Sequence, residues 1–389
     1  MNTVHITTMA LWDICKGKGR VSTILPLLGY IERGHSVYYL TTLARYKNIT
    51  EEDGIKIYYI HIPFFDIIDR PIFLLLLLPI LNIFFAFRAV KVLRDIDVDV
   101  IYAHSASLAF AAKILSKKFN SKYVLRLYGV GNAYLKKFKP SSIIRRIALY
   151  FKADAYILTD DGTKADLLAK SCNVPDEKIH FLKNGIDKSR AHDSMDNDLI
   201  VQYAPNGERL IISVCRLSNT KGVDTTIKLF AELHKINPNT KLLIIGDGGE
   251  RPFLYELVNS MGISRSVCFI GAVNQSEVFR YLKISDLFVA MNRESNLSNP
   301  VFEAMLSGLP VVALDSGNTS SLIADNVNGV LVKPECLDLL HIKISELLHN
   351  KVMLNDLGTN AQNYILSNFM SWSERVAYEV NLVVDLIKK

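Results

Sequence analysis

The sequence predicts an α/β protein made of two facing, doubly wound parallel-sheet domains of the Rossmann type. Three observations carry this. The chain has 389 residues, enough for more than one domain of ordinary size. Short apolar runs alternate with helix-length amphipathic stretches in both halves, the pattern of βαβ units around a buried parallel sheet. A turn signal, Asn184-Gly185-Ile186-Asp187, is followed by a polar stretch that separates the two series. Hydrophobic residues make up 49% and charged residues 22%, which suits a packed core and excludes a disordered chain.

In the rear half, strand-like runs fall at 210–215, 241–245, 267–270, 286–290 and 310–314, with helical stretches at 222–235, 249–260, 275–283 and 300–308 between them. The front half repeats the plan at 4–11, 36–41, 55–60, 98–103, 123–127 and 155–159. We therefore expect an N-terminal domain over 1–187 and a C-terminal domain over 188–370. A last helix near 373–389 has no strand after it. Facing parallel sheets bring their strand ends to a shared cleft, where ligands bind.

One segment departs from the plan. Residues 72–87 (IFLLLLLPILNIFFAF) hold no charge. A sixteen-residue helix spans about 24 Å, short of the ~30 Å hydrocarbon core, and Pro79 should kink it. The readings left are a core helix and an interfacial helix. Residues 134–152 favour the interface, because Lys136, Lys137, Lys139, Arg145, Arg146 and Lys152 interleave with aromatic and aliphatic side chains. An amphipathic helix packed on its own sheet would look the same. Charge points the same way: residues 1–190 hold 28 basic and 17 acidic side chains (net +11), the rest 17 and 22 (net −5). A basic front half suits an anionic partner. No nucleic-acid readout motif accompanies it, so we expect an anionic membrane surface or phosphorylated ligand. Five cysteines at no clip spacing, and no cleavable leader, suggest a cytoplasmic protein with free thiols.

Four loops carry candidate chemistry. Lys16-Gly17-Lys18-Gly19-Arg20 follows the first strand and opens a helix; two glycines admit a close ligand, and a helix N-terminus favours an anion. Arg216…Lys221-Gly222 follows the strand at 210–215, and two cations there can neutralise a diphosphate; exposed loop cations are the plain alternative. Gly246-Asp247-Gly248-Gly249 makes a tight strand-to-helix turn. In Glu294…Asn299-Pro300…Glu303, Pro300 suits a first helical turn, and Glu303 can accept two hydrogen bonds from vicinal hydroxyls. The amides of Leu297, Ser298 and Asn299 can face an anion or sugar hydroxyls. Asp95, Asp97 and Asp99 alternate but read as a solvated turn rather than a metal site.

The ordered set Arg216-Leu217…Lys221-Gly222, Gly246-Asp247-Gly248, Phe269-Ile270-Gly271, Asp286, Asn299-Pro300…Glu303-Ala304-Met305…Gly308-Leu309-Pro310-Val311-Val312 and Asn328-Gly329…Leu331-Val332 resembles the retaining glycosyltransferases of family 4, which have the GT-B fold. Arg33-Gly34-His35, His104, Asn184-Gly185-Ile186-Asp187 and Ser371-Trp372-Ser373 extend the likeness over nearly the whole chain. The resemblance implies transfer of a hexose or N-acetylhexosamine from a UDP- or GDP-linked sugar to a lipid-linked or polysaccharide-precursor acceptor, with neither metal nor other cofactor. Arg216 and Lys221 would hold the donor diphosphate and Glu303 its ribose. Gly17, Gly19, Gly246, Val273, Leu297, Ser298 and Asn299 would line the donor side, with Arg20, His104 and Arg126 on the acceptor side. Residues 371–389 would form a helix that crosses back to the N-terminal domain.

Three positions depart from the family pattern. Its first acid, eight residues before Glu303, is Ser295 here. Glu294, one residue earlier, either reaches the sugar through a bulge or points elsewhere. The family's His-Gly pair is Tyr128-Gly129, and Tyr128, though placed for catalysis, is a poor base near neutral pH. Cys215 stands where glycine is usual. Two other readings share the architecture: a sugar-nucleotide epimerase, active without any acceptor, and a degenerate membrane-binding subunit.

Overall fold

The structure is a computed structural model that describes residues 1–8, 21–43, 50–62, 71–134 and 138–388. The chain divides into two compact units, one of residues 1–185 with 372–389, the other of residues 186–371.

The first unit runs β1 (Asn2–Thr7), α1 (Val21–Glu32), β2 (Ser36–Thr41), β3 (Glu51–Glu52), β4 (Ile55–Tyr59), α2 (Pro71–Leu93), β5 (Val100–Ala103), α3 (Ala109–Lys118), β6 (Lys122–Leu127), α4 (Pro140–Tyr150), β7 (Ala155–Thr159), α5 (Ala165–Lys170) and β8 (Ile179–Leu182). Its sheet has the order β3-β4-β2-β1-β5-β6-β7-β8, parallel except where the two residues of β3 pair antiparallel with β4. Alternation along the strands splits the core. Val4 and Ile6 of β1, with Ile101 and Ala103 of β5, pack with Leu81, Phe85 and Leu115 under α2 and α3. Val37, Tyr39, Tyr102 and Val124 point the other way, to Leu27 and Tyr30 of α1.

The second unit runs α6 (Asn197–Tyr203), β9 (Arg209–Val214), α7 (Val223–Ile236), β10 (Thr240–Ile245), α8 (Arg251–Ser260), β11 (Val267–Gly271), α9 (Gln275–Ile284), β12 (Leu287–Ala290), α10 (Asn299–Leu306), β13 (Val311–Leu314), β14 (Val330–Val332), α11 (Leu340–His349) and α12 (Lys351–Asn368). The sheet order is β11-β10-β9-β12-β13-β14, all parallel, with Ile211 of β9 level with Leu242 of β10 and Leu287 of β12. The chain then returns to the first unit as α13 (Trp372–Lys388), which lays Val376, Val380 and Val383 on the α1 side of that sheet. The doubly wound α/β class expected from sequence is what both units show.

The apolar segment fills most of α2 from its second residue, and the 23 residues of the helix run through Pro79 without interruption. One face is core, and buried Asn82 pins it: its amide donates to the carbonyls of Leu78 (2.7 Å) and Ser107 (2.8 Å), and its Oδ1 accepts from Ala111 N–H (2.9 Å). The opposite face leaves Ile80 65% and Phe87 60% exposed. No helix among the described residues is long and apolar enough to cross a membrane. Cys172, Cys215, Cys268 and Cys336 are free.

Candidate functional site

In the second unit the chain winds outward from β9 through β10 to β11, then returns to place β12 on the other flank of β9. Strand order therefore reverses between β9 and β12, and in open parallel sheets ligands bind outside the carboxyl ends of two such strands. The predicted rear residues follow from this topology. Arg216 and Lys221 lie on the loop after β9, Gly246 follows β10, Val273 follows β11, and Glu294 through Glu303 follow β12. Arg216 is exposed, and Lys221 closes a short 3-10 turn, half-buried. Among the described residues, neither side chain is engaged in an ion pair.

Two glycines let these loops touch. Gly222 has φ +67°, and a Cβ there would lie 1.9 Å from the Met291 carbonyl oxygen; at Gly246, φ +130°, it would lie 1.9 Å from that of Cys215. Arg293, a residue the sequence reading did not single out, ties the β9 and β12 loops. Its guanidinium donates to both carboxylate oxygens of Asp224 (2.8 and 2.6 Å), to Thr225 Oγ1 (3.1 Å) and to the Asn219 carbonyl, and its backbone N–H donates to the Thr220 carbonyl (2.8 Å). One terminal nitrogen thus spans both oxygens of Asp224, in charge-assisted bonds that hold the two loops together.

The β12 loop is built on two buried asparagines, also missed. Asn296 donates to the Leu314 carbonyl (2.7 Å), and its Oδ1 accepts from Asn292 N–H (3.2 Å). Asn292 donates to the Ser295 carbonyl and accepts from Glu294 N–H (3.1 Å). Their only sequence signal is a pair of asparagines four apart after a strand. Ser295, at the first-acid position, is buried, and its Oγ accepts the Leu297 N–H (3.1 Å). The expectation that the Leu297 amide faces a ligand is thereby corrected, because that donor is satisfied inside the loop. Ser298 caps α10 in extended conformation and Asn299 opens it. Glu294 is half-buried on the same loop.

Glu303 sits in the middle of α10, where Gln275 Nε2 donates to its Oε1 (2.9 Å). Burial pushes its carboxyl up to about 7; the Gln275 hydrogen bond and the Arg190 charge oppose the shift, and Asp187 adds to it.

In the first unit, strand order reverses between β1 and β5. The loop holding Gly17, Gly19 and Arg20 lies outside the described residues. His104 follows β5 and Tyr128 follows β6, beside a cavity of about 250 Å³ also lined by Ser105, Ser107, Ser141 and Arg145. Tyr128 is half-buried. Arg126, expected on the acceptor side, is among the residues lining this cavity, but its side chain is turned inward. It is 1% exposed and pairs with Glu379 of α13, while its other nitrogen donates to the Ser22 carbonyl (3.1 Å). Two positions past Val124, it faces the α1 and α13 side with Tyr102. Glu379, 0% exposed, also pairs with Arg375 (2.8 Å) and accepts from the Tyr102 hydroxyl. Burial opposes its ionisation, but the two arginines and that hydroxyl outweigh it and hold the carboxyl well below the usual range.

Two family models match the chain: "Glycosyltransferase Family 4" over residues 28–190 and "Glycosyl transferases group 1" over residues 196–364. A glycosyltransferase of Methanocaldococcus jannaschii is 24% identical over 370 residues, covering 91% of this chain and 90% of its own. Alpha-monoglucosyldiacylglycerol synthase of Streptococcus pneumoniae is 24% identical over 315 residues, covering 77% and 68%. Among solved structures, an Anabaena protein in complex with UDP aligns with TM-score 0.76 and 17% identity over 99% of this chain and 100% of its own. Sucrose-phosphate synthase of Thermosynechococcus elongatus aligns at 0.78 and 17% over 100% and 99%. With two doubly wound units, matched over residues 28–190 and 196–364 by two glycosyltransferase models, the chain belongs to the family 4 glycosyltransferases and has the GT-B fold.

Proposed function

We propose that the chain transfers a hexose or N-acetylhexosamine, with retention, from a UDP- or GDP-linked sugar to a lipid-linked or polysaccharide-precursor acceptor at an anionic membrane face. The observation that carries this reading is Arg216 and Lys221 on the β9 loop, tied by Arg293 to the β12 loop at the point where strand order reverses. In this reading the rear domain, residues 188–370, binds the donor, and the front domain carries acceptor contacts. Glu303 takes the donor ribose hydroxyls, with Gly246, Val273, Ser298 and Asn299 beside it, and Glu294 meets the sugar. As the anomeric bond breaks, negative charge grows on the departing diphosphate, so fixed cations there lower the barrier. No enzymic nucleophile is invoked; the acceptor attacks on the face the diphosphate leaves, and a donor phosphate oxygen takes its proton.

Names of relatives support the substrate classes. The Anabaena protein has also been solved with UDP-glucose, and relatives carry the names alpha-monoglucosyldiacylglycerol synthase and GDP-mannose-dependent alpha-mannosyltransferase. Support for the membrane face comes from α2 and α4, which pack together. Ile80, Ile83 and Phe87 of α2 and Ile147 and Tyr150 of α4 are exposed, as is Phe138 (91%) before α4. Arg88, Lys91, Lys139 and Lys152 stand exposed among them. Apolar groups ringed by cations suit the headgroup region of an anionic bilayer.

The test is the purified protein with a panel of nucleotide sugars, with and without acceptor, scored for free nucleotide diphosphate. Nucleotide release stimulated by a lipid or saccharide acceptor is the expected result. Interconversion of the sugar without acceptor would mark an epimerase, and no consumption of any donor would mark a non-catalytic subunit. Vesicles with anionic lipid should sediment the protein at low salt and release it at high salt; equal recovery with neutral vesicles refutes the membrane part.

A further inference from the structure

Thr3 and His5 of β1 share the strand face of Tyr102, their side chains pointing away from the Val4 and Ile6 core. His5 is level with Tyr102 across the ladder and stacks on it at 4.9 Å; the His104 ring stacks on Tyr102 at 4.7 Å. Four polar side chains then form one continuous line. Tyr128 OH lies 2.6 Å from His104 Nδ1, His104 Nε2 2.8 Å from His5 Nδ1, and His5 Nε2 3.0 Å from Thr3 Oγ1. The Thr3 hydroxyl meets the Ser36 carbonyl at 3.2 Å.

The direction of this line follows from its inner end. With the single hydroxyl hydrogen of Thr3 donated to the Ser36 carbonyl, Thr3 Oγ1 accepts from His5 Nε2–H. A neutral imidazole has one donor and one acceptor, so His5 Nδ1 accepts from His104 Nε2–H, and His104 Nδ1 accepts the Tyr128 hydrogen. Burial favours the neutral form of both rings: it pushes His5 down to about 3 against the pull of Glu379, and it holds His104 well below its ordinary value with help from His5 and Arg126.

We infer that this one-way chain turns the Tyr128 phenol hydrogen inward, so that Tyr128 meets the occupant of its cavity as a hydrogen-bond acceptor and selects a sugar hydroxyl over a phosphate oxygen, with Thr3 and His5 as positioning residues. An ionised phosphodiester-type oxygen offers no hydrogen to such a site, whereas every sugar hydroxyl does. The identity of that occupant as a saccharide rests on the glycosyltransferase reading above; the direction of the chain does not.

Histidine-ring ¹⁵N spectra of the substrate-free protein test the direction, with signals assigned from His5→Gln and His104→Gln. Both rings should be Nε2–H tautomers and should not titrate between pH 6 and 8. Tyr128→Phe should move the His104 Nδ1 signal, and Thr3→Val should bring up a second tautomer of His5. An Nδ1–H tautomer of either ring in the unsubstituted protein, or unchanged spectra in Thr3→Val, overturns the chain. Methyl α-glucoside should perturb the His104 signals in the parent protein and not in Tyr128→Phe; perturbation by dimethyl phosphate alone overturns the selectivity. In the transfer assay, Tyr128→Phe should raise the acceptor KM about ten-fold, the scale of one hydrogen bond, with donor KM unchanged. An unchanged acceptor KM also overturns the selectivity. Total absence of transfer in the parent protein would instead count against the functional reading, while the spectra still decide the chain.

Discussion

Donor binding should depend on pH through Glu303. Its carboxyl titrates at about 7 because burial disfavours the charged form, with Gln275 and Arg190 as partial compensation and Asp187 opposing them. Vicinal ribose hydroxyls need the carboxylate, since only the ionised group accepts from both without spending an oxygen on its own proton. With a midpoint near 7, the ionised fraction is about ten elevenths at pH 8 and about one eleventh at pH 6. Affinity should therefore fall about ten-fold over that interval, or about 1.4 kcal/mol. Calorimetry with an intact nucleotide sugar and no acceptor is the assay, because a free nucleotide diphosphate has a terminal phosphate that titrates in the same range. Glu303→Gln should bind at pH 8 about as weakly as the parent does at pH 6, with a flat profile. Stability should run the opposite way. The folded state keeps a proton that the unfolded chain, titrating near 4.5, has lost, so this contribution is full below 4.5 and disappears as pH rises through about 7. A flat profile in the parent protein, or a profile that survives Glu303→Gln, would refute the assignment of the ribose to this carboxylate.

Arg216→Ala and Lys221→Ala should each lower turnover by roughly 10²-fold or more, the loss expected for one preorganised charge, with melting temperature nearly unchanged; normal rates in both would remove them from the site. Glu379→Ala should cost about 3–5 kcal/mol in urea unfolding, because Arg126 and Arg375 are left buried without their shared carboxylate. A change below about 1 kcal/mol would mean that water replaces the carboxylate. Asn296→Ala should cost about 1–3 kcal/mol by orphaning the Leu314 carbonyl and Asn292 N–H. It should also weaken donor binding, while a destabilised variant with parental donor affinity would show that the β12 loop does not need this brace.

The class of the fold was legible because strands buried on both faces read as apolar runs; 36–41 and 155–159 match β2 and β7 residue for residue. Elements without such a run went unread. All four residues of β8 are only half-buried, β14 has three residues, and the two of β3 are glutamates on an edge. The helix α2 passes the end of its apolar run to Leu93, since Arg88 and Lys91 stay exposed while Ala89 and Leu93 keep the buried face going. Loop positions after strands were equally readable: Arg216 and Lys221 lie on the loop after β9, and Glu303 lies in the helix after the β12 loop. The braces were not. Asn292 and Asn296 act largely through backbone carbonyls and amides, and no side-chain pattern records which carbonyl will be near; Arg293 meets Asp224 from 69 residues further along the chain. Arg126 was assigned to the acceptor side from its place near a strand end, but its partner Glu379 lies 253 residues further along the chain.

That partnership bears on the chemistry at Tyr128. Glu379 sets one negative charge against two arginines, so the cluster keeps a net positive charge within the first unit. The Arg126 guanidinium lies 4.6 Å from the centre of the Tyr128 ring, and its charge helps to hold His104 neutral. Tyr102, whose hydroxyl binds Glu379, stacks on both imidazoles and fixes their planes. A protonated imidazole would donate from both nitrogens, which would leave no acceptor for the Tyr128 hydrogen and turn it toward the cavity. The buried arginine thus contributes through charge: by helping to keep His104 neutral it preserves the single direction of the chain that ends at Tyr128. The carboxylate of α13 makes that buried charge tolerable, so the last helix of the sequence is joined energetically to a cavity formed by residues 104–145.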